Sequence, residues 1–252
     1  DEALAWGRHV NTYQQVWNLV RQADHPALGV ILDSFHTLSL KGDPRAIRDI
    51  PGDKIFFVQM ADAPILAMDV LEWSRHFRCF PGQGEMDMAG FLAPILATGY
   101  RGPLSLEIFN DGFRAAPTRQ NAADGLRSLL YLEEQTRLRL EQENTPIEPG
   151  VLFTPPAASA YDGVEFLEFA VDEAVGARLG SWLKRLGFAE AGKHRSKDVQ
   201  LLRQGDINIV LNAEPYSFGH NFFEAHGPSL CATALRVKDP QAALKRATAF
   251  RG

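Results

Sequence analysis

Three short, mostly apolar runs constrain this chain more than any other feature: Leu28 to Leu32, Ile55 to Met60 and Leu104 to Phe109. Runs of this length and composition fit strands covered on both faces, where neither side of the pleat meets water. Helical patterns separate them. Val10 to Ala23 carries Val16, Leu19 and Val20 on one face. Asp43-Pro44 is an N-cap followed by proline at the first helical position, and Gly52 follows the short helix it opens. Asp87 caps a helix bearing Phe91, Leu92, Ile95 and Leu96, with a kink expected at Pro94 and an end at Gly99. Thr118 to Glu143 reads as one long helix with Leu126, Leu129, Leu130 and Leu138 along its inner side. Strand and helix in alternation predict a parallel sheet of α/β type.

The grammar changes after residue 143. Pro146, Pro149, Pro155 and Pro156 mark residues 144–160 as a linker. Beyond it, residues 161–252 read as strand (Val164 to Ala170), helix (Asp172 to Leu186, closed by Gly187) and three short strands. Two of these flank the hairpin signal Gln204-Gly205-Asp206. A further strand from Cys231 to Val237 leads into a helix from Asp239, which predicts an α+β domain of βαβββ type.

A net charge of −5 leaves no basic footprint for nucleic acid, and no Lys/Arg cluster suggests a membrane surface. No apolar run approaches the ~20 residues of a membrane span. Cys79 and Cys231 lie far apart and form no framework, which fits a reducing cytoplasm. The chain opens on Asp1-Glu2-Ala3-Leu4 without methionine and stops just past a helix, so a piece of a longer polypeptide is expected.

Oxygen-bearing side chains recur where the predicted strands of the first domain end. Glu2 stands at the start, Asp33 closes the first run, Gln59 sits near the end of the second, and Glu107 lies within the third. In a parallel barrel the carboxyl ends converge on one face, where active sites are built. An all-oxygen set there suits magnesium or manganese rather than zinc. Each residue also has a plainer reading: Glu2 as an exposed terminal residue, Asp33 as a turn or cap, Gln59 as a satisfied polar group. Glu107, set among Leu104, Leu106, Ile108 and Phe109, needs a partner in any reading. His36, three residues past Asp33, is either a loop histidine or a base.

The runs GVILDSFHTL, FFVQMAD and FPGQGEMDMAGFLAPILATGYRGPLSLEIFND resemble the xylose-isomerase-like sugar phosphate isomerase superfamily of TIM barrels. Within it they resemble the bacterial two-domain 3-dehydroshikimate dehydratases. GVEFLEFA, HRSKDVQLLRQGDINIVLN and HGPSLCATALRVKDP look like the first half of a 4-hydroxyphenylpyruvate dioxygenase, the module fused to such barrels. The resemblance implies that residues 1–143 form the C-terminal half of the barrel, from strand four or five to strand eight. It implies that residues 161–252 form part of a vicinal-oxygen-chelate-type domain. It further implies Glu2, Asp33, Gln59 and Glu107 as ligands of a divalent ion (magnesium, manganese or cobalt), His36 as the catalytic histidine, and Ser74 and Arg78 as substrate contacts. The implied activity is dehydration of 3-dehydroshikimate to protocatechuate in the cytoplasm, with room for a homo-oligomer. The rival readings are a sugar or inosose isomerase or dehydratase on the same metal cage, and a dioxygenase or a non-catalytic assembly or sensing module in the C-terminal region. The dioxygenase family keeps its iron ligands in a later half, so His194, His220 and His226 are expected to be loop or surface histidines.

Overall fold

The computed structural model describes residues 4–251. It divides into two compact units, Asp1–Pro156 with Ala247–Gly252, and Ala157–Arg246. In the first unit, α1 (Tyr13–Ala23) precedes β1 (Val30–Asp33) and α2 (Ser34–Ser39). A 3-10 turn at Pro44–Asp49 then leads to β2 (Ile55–Met60), α3 (Val70–His76), α4 (Met88–Ala97) and β3 (Leu104–Leu106). The unit continues with α5 (Asp111–Ala115) and α6 (Thr118–Gln142). The three strands pair in parallel in the order β1-β2-β3.

Local chemistry sets the element ends. Thr12 and Gln15 form a capping box, so α1 starts at Tyr13 rather than at Val10. Asp87 caps α4 by accepting the Gly90 amide at 2.9 Å. Phe91, Leu92 and Ile95 of α4 are fully buried with Val30, Leu32, Val58 and Met60 of the strands. Each such side chain contributes on the order of 1.5–3 kcal/mol by leaving water.

Two expectations are corrected by packing. The third strand was expected to run to Phe109, yet β3 ends at Leu106. Beyond that point residues 77–79 wedge in, bridging antiparallel to Asp62 on one side and to Asn110 on the other. The inner face of α6 is Gly125, Ser128, Leu132, Thr136 and Leu140, while Leu126 and Leu138 face solvent. Gly125 decides this rotation: a Cβ there would lie 2.8 Å from the Leu106 side chain, so the helix approaches the sheet along its glycine.

The second unit carries β4 (Tyr161–Ala170), α7 (Glu173–Arg185), β5 (Ala189–Lys193), β6 (Val199–Gln204) and β7 (Ile207–Asn212). It continues with α8 (Phe218–His226) and β8 (Ser229–Val237), and α9 (Pro240–Ala249) follows. Its sheet runs β5-β6-β7-β4-β8, with β4 parallel to β7 and antiparallel to β8. Gly205, at φ +56°, turns the β6-β7 hairpin. Val171, Leu183, Leu202, Ile209 and Leu211 form its core. Among the described residues, no helix is long and apolar enough to cross a membrane.

Candidate active site

The parallel register brings the strand-end residues together. Asp33 is the direct partner of Gln59 across β1 and β2, and the Glu107 amide donates to the Met60 carbonyl at 3.2 Å. Three neighbouring chain segments thus present Asp33, Gln59 and Glu107 at their carboxyl ends. The Gln59 amide nitrogen donates to Glu107 at 2.9 Å. Asp33 also caps α2, accepting the His36 amide at 3.2 Å, so the turn that follows β1 places the imidazole beside the carboxylate.

Arg78 binds the cluster into one piece. It is 1% exposed, although its neighbours Arg75 and Phe77 are exposed. Its Nη1 donates to Asp33 Oδ2 at 3.0 Å and to Glu107 Oε2 at 2.8 Å. Its Nε and Nη2 donate to Ser74 Oγ at 3.1 and 2.7 Å, one turn back along the chain. The guanidinium lies over the ring of Phe35 at 4.7 Å and that of Phe109 at 5.3 Å, apolar walls that keep water out. A buried guanidinium needs its charge answered, and two carboxylates answer it.

His36 is held at both nitrogens. The Ala5 amide donates to Nδ1 at 3.3 Å, and Arg78 Nη2 lies 3.2 Å from Nε2. Both neighbours are donors, whereas a neutral imidazole has one acceptor nitrogen and one N–H, so it accepts from only one of them at a time. With the acceptor at Nε2 the ring has the form that a general base requires. Trp6 packs against the imidazole edge-on, with ring centres 5.0 Å apart. Burial pushes the Glu107 carboxyl above its usual range. Arg78 pulls it down, and the neighbouring Asp33 carboxylate pushes it up again.

The donor set can be tested for a hard cation. Gln59 Oε1 is buried and has no hydrogen-bond partner, an acceptor that costs free energy as it stands. Together with two carboxylates it forms an oxygen set suited to magnesium, manganese or cobalt, so these residues fit a divalent ion. Among the described residues no three His, Cys, Asp or Glu side chains are placed so that they alone could hold a metal ion. The oxygen set instead includes an amide, and Glu2, its expected fourth member, lies outside the described residues.

The structure therefore gathers Asp33, His36, Gln59, Ser74, Arg78 and Glu107. Sequence reasoning passed over Phe35, Phe109 and Asp62. The signal for Asp62 was present, an acid closing the run FFVQMAD and followed by the glycine-rich FPGQG. In the second unit, His220 and His226 lie on α8 and His194 beyond β5.

The family described as xylose isomerase-like TIM barrel matches residues 2–132, and that of the N-terminal part of hydroxyphenylpyruvate dioxygenase matches residues 154–251. The 3-dehydroshikimate dehydratase of Pseudomonas putida is 98% identical over 251 residues, covering 100% of this chain and 40% of that protein. That of Pseudomonas aeruginosa is 74% identical with the same coverage. The 4-hydroxyphenylpyruvate dioxygenase of Pseudomonas aeruginosa is 51% identical over 79 residues, 31% of this chain and 22% of that protein. A solved xylose isomerase-like TIM barrel/4-hydroxyphenylpyruvate dioxygenase fusion protein superposes with a TM-score of 0.91 at 98% identity, covering 100% of this chain and 40% of that one. The chain spans 40% of the length of these first relatives.

Proposed function

The chain belongs to the xylose isomerase-like TIM barrel family, and from that premise we propose that it supplies catalytic residues for the metal-dependent dehydration of 3-dehydroshikimate to protocatechuate. One observation carries the reading: relatives named 3-dehydroshikimate dehydratase match the chain over its full length, at 98% and 74% identity. The substrate offers a ketone, a proton on the adjacent carbon and a hydroxyl on the next carbon. Loss of that proton and that hydroxyl as water leaves a ring that aromatises, which makes the step effectively irreversible.

Asp33, Gln59 and Glu107 would hold the divalent ion, magnesium, manganese or cobalt, with Glu2 as the fourth ligand. Bound there, the ion supplies Lewis acidity that draws charge from the ketone. His36 takes the proton at Nε2 and later returns it to the departing hydroxyl. Ser74 and Arg78 orient the substrate, the guanidinium pairing with its carboxylate. All five N–H donors of an arginine are finite currency here. Those on Nη1 are shared between Asp33 and Glu107, and become available to substrate only as these carboxylates turn elsewhere. For residues 157–246 the reading is an assembly or ligand-sensing module, in a cytoplasmic enzyme.

Incubating the intact protein with 3-dehydroshikimate, with and without chelator, tests the substrate. A chelator-sensitive catechol product is expected. Turnover of keto-sugars without that product would move the reading to an isomerase. His36→Asn with undiminished turnover and intact metal would end the role of His36 as base. Deleting residues 150 onward should lower assembly while leaving intrinsic turnover, and loss of all turnover from well-folded protein would contradict a purely scaffolding module.

A further inference from the structure

Asp62 is 1% exposed and pairs with no cation among the described residues, yet its carboxylate is fully engaged. Oδ1 accepts the amides of Ala63 at 2.8 Å and Met86 at 3.0 Å. Oδ2 accepts those of Gly82 at 2.9 Å and Gly84 at 3.0 Å. Hydrogen bonds from backbone N–H groups to an ionised acceptor are among the stronger kind, and four of them use the acceptor capacity of a carboxylate. The glycines are part of the device. A Cβ on Gly84 would lie 2.3 Å from Asp62 Oδ1, and Gly82 holds φ +86°.

The backbone of Asp62 performs a second task. Its amide donates to the Cys79 carbonyl at 3.0 Å and its carbonyl accepts the Cys79 amide at 2.8 Å, so Asp62 grips the chain immediately after Arg78. On the other side of Arg78, its amide donates to the Phe109 carbonyl at 3.2 Å and Asn110 Nδ2 donates to its carbonyl at 3.0 Å. Arg78 therefore hangs in a short wedge, clamped on one flank by Asp62, three residues past Gln59, and on the other by residues 109–110. The loop that Asp62 ties down, residues 80–86, continues the same wedge.

We propose that Asp62 is a positioning residue for Arg78: its carboxylate locks the loop 80–86, and that lock fixes where the buried guanidinium meets Asp33, Glu107 and substrate. The proposal rests on the dehydratase reading for its kinetic consequence, and on the geometry alone for its structural one. Asp62→Asn keeps the shape but turns an NH2 group toward two N–H donors, so half of the lock becomes repulsive. Gly84→Ala places a Cβ 2.3 Å from Asp62 Oδ1 and 2.6 Å from the Ala63 backbone, so it disturbs the same lock without changing the carboxylate.

The test uses the intact protein with Asp62→Asn, Gly84→Ala, Arg78→Lys and the double variant Asp62→Asn/Arg78→Lys. Misplacing a positioned group by about 1 Å can cost about a hundredfold, and a loss of that order in kcat/KM is expected for Asp62→Asn. In the Arg78→Lys background the same change should cost far less, because the group that it positions is already impaired. The metal dissociation constant should stay within about twofold of the parent, since Asp33, Gln59 and Glu107 keep their backbone register. Additive losses in the double variant, or unchanged kinetics, would overturn the proposal. Amide exchange supplies an arm that needs no substrate: Asp62→Asn should speed exchange at Gly82, Gly84, Met86 and also at Arg78. Protection at Arg78 equal to the parent overturns the proposal whatever the substrate is. A parent that makes no catechol product sinks the dehydratase reading instead, and the exchange arm still decides on Asp62. If Asp62→Asn fails to fold, Gly84→Ala carries the same comparisons.

Discussion

The guanidinium of Arg78 is buried between Asp33 and Glu107, with Ser74 fixing its far side. Its planar fork meets several acceptors at once, which the single point of an ammonium cannot reproduce. Hydrogen bonds to charged groups are worth about 1.5–3 kcal/mol each, so Arg78→Lys should lower kcat/KM by about ten- to a hundredfold. Metal content, read by elemental analysis, should stay unchanged; parallel loss of metal and activity would mark Arg78 as a prop of the cage. Gln59 offers a complementary experiment. Its buried Oε1 is a hard, neutral donor without a hydrogen-bond partner. Gln59→His introduces a softer nitrogen, and metal competition should show a shift toward zinc relative to the parent. An unchanged preference would remove Gln59 from the ligand set.

Among the elements, α6 and α1 make predictions with opposite logic. Gly125→Ala puts a methyl group 2.8 Å from Leu106, and overpacking of this kind costs about 1–3 kcal/mol. Leu126→Ala, on the exposed side, should stay within about 0.5 kcal/mol of the parent. Denaturant midpoints compare the two, and a larger loss at Leu126 would reverse the assigned face. Tyr13 anchors α1 by donating its hydroxyl to the Asp43 carbonyl at 2.6 Å. Burial, with Asp43 and Asp49 nearby, pushes the phenol up from 10.0 to about 12. The folded state favours the neutral phenol while the unfolded chain ionises near 10, so this stability is fully present below pH 10 and is lost as pH rises through about 12. Tyr13→Phe should flatten that alkaline fall; an identical pH profile would deny Tyr13 the role. The Cys79 thiol, pushed up to about 12 by burial and by Asp62, should resist alkylation at pH 8 until the protein is unfolded.

For the molecule as a whole, removing the metal is expected to abolish turnover without unfolding either unit, because each has its own apolar core. Amide exchange should rise at the carboxyl ends of β1 and β2 and along residues 107–110, with the sheet of residues 157–246 unaffected. Exchange rising throughout the first unit would make the ion a structural element. Much of this arrangement was legible beforehand. Apolar runs, caps and glycine stops are local signals, and they determined the parallel α/β unit, the later α+β unit and the strand-end positions of Asp33 and Gln59. Other features depend on segments distant along the chain: Arg78 reaches Asp33 across 45 residues and Glu107 across 29. No local periodicity encodes that residues 77–79 enter where β3 stops, that Gly125 turns α6, or that Asp62 locks the loop carrying two glycines. Those were decided by tertiary structure, because a buried charge and a close helix approach acquire their partners only when distant backbones come into register.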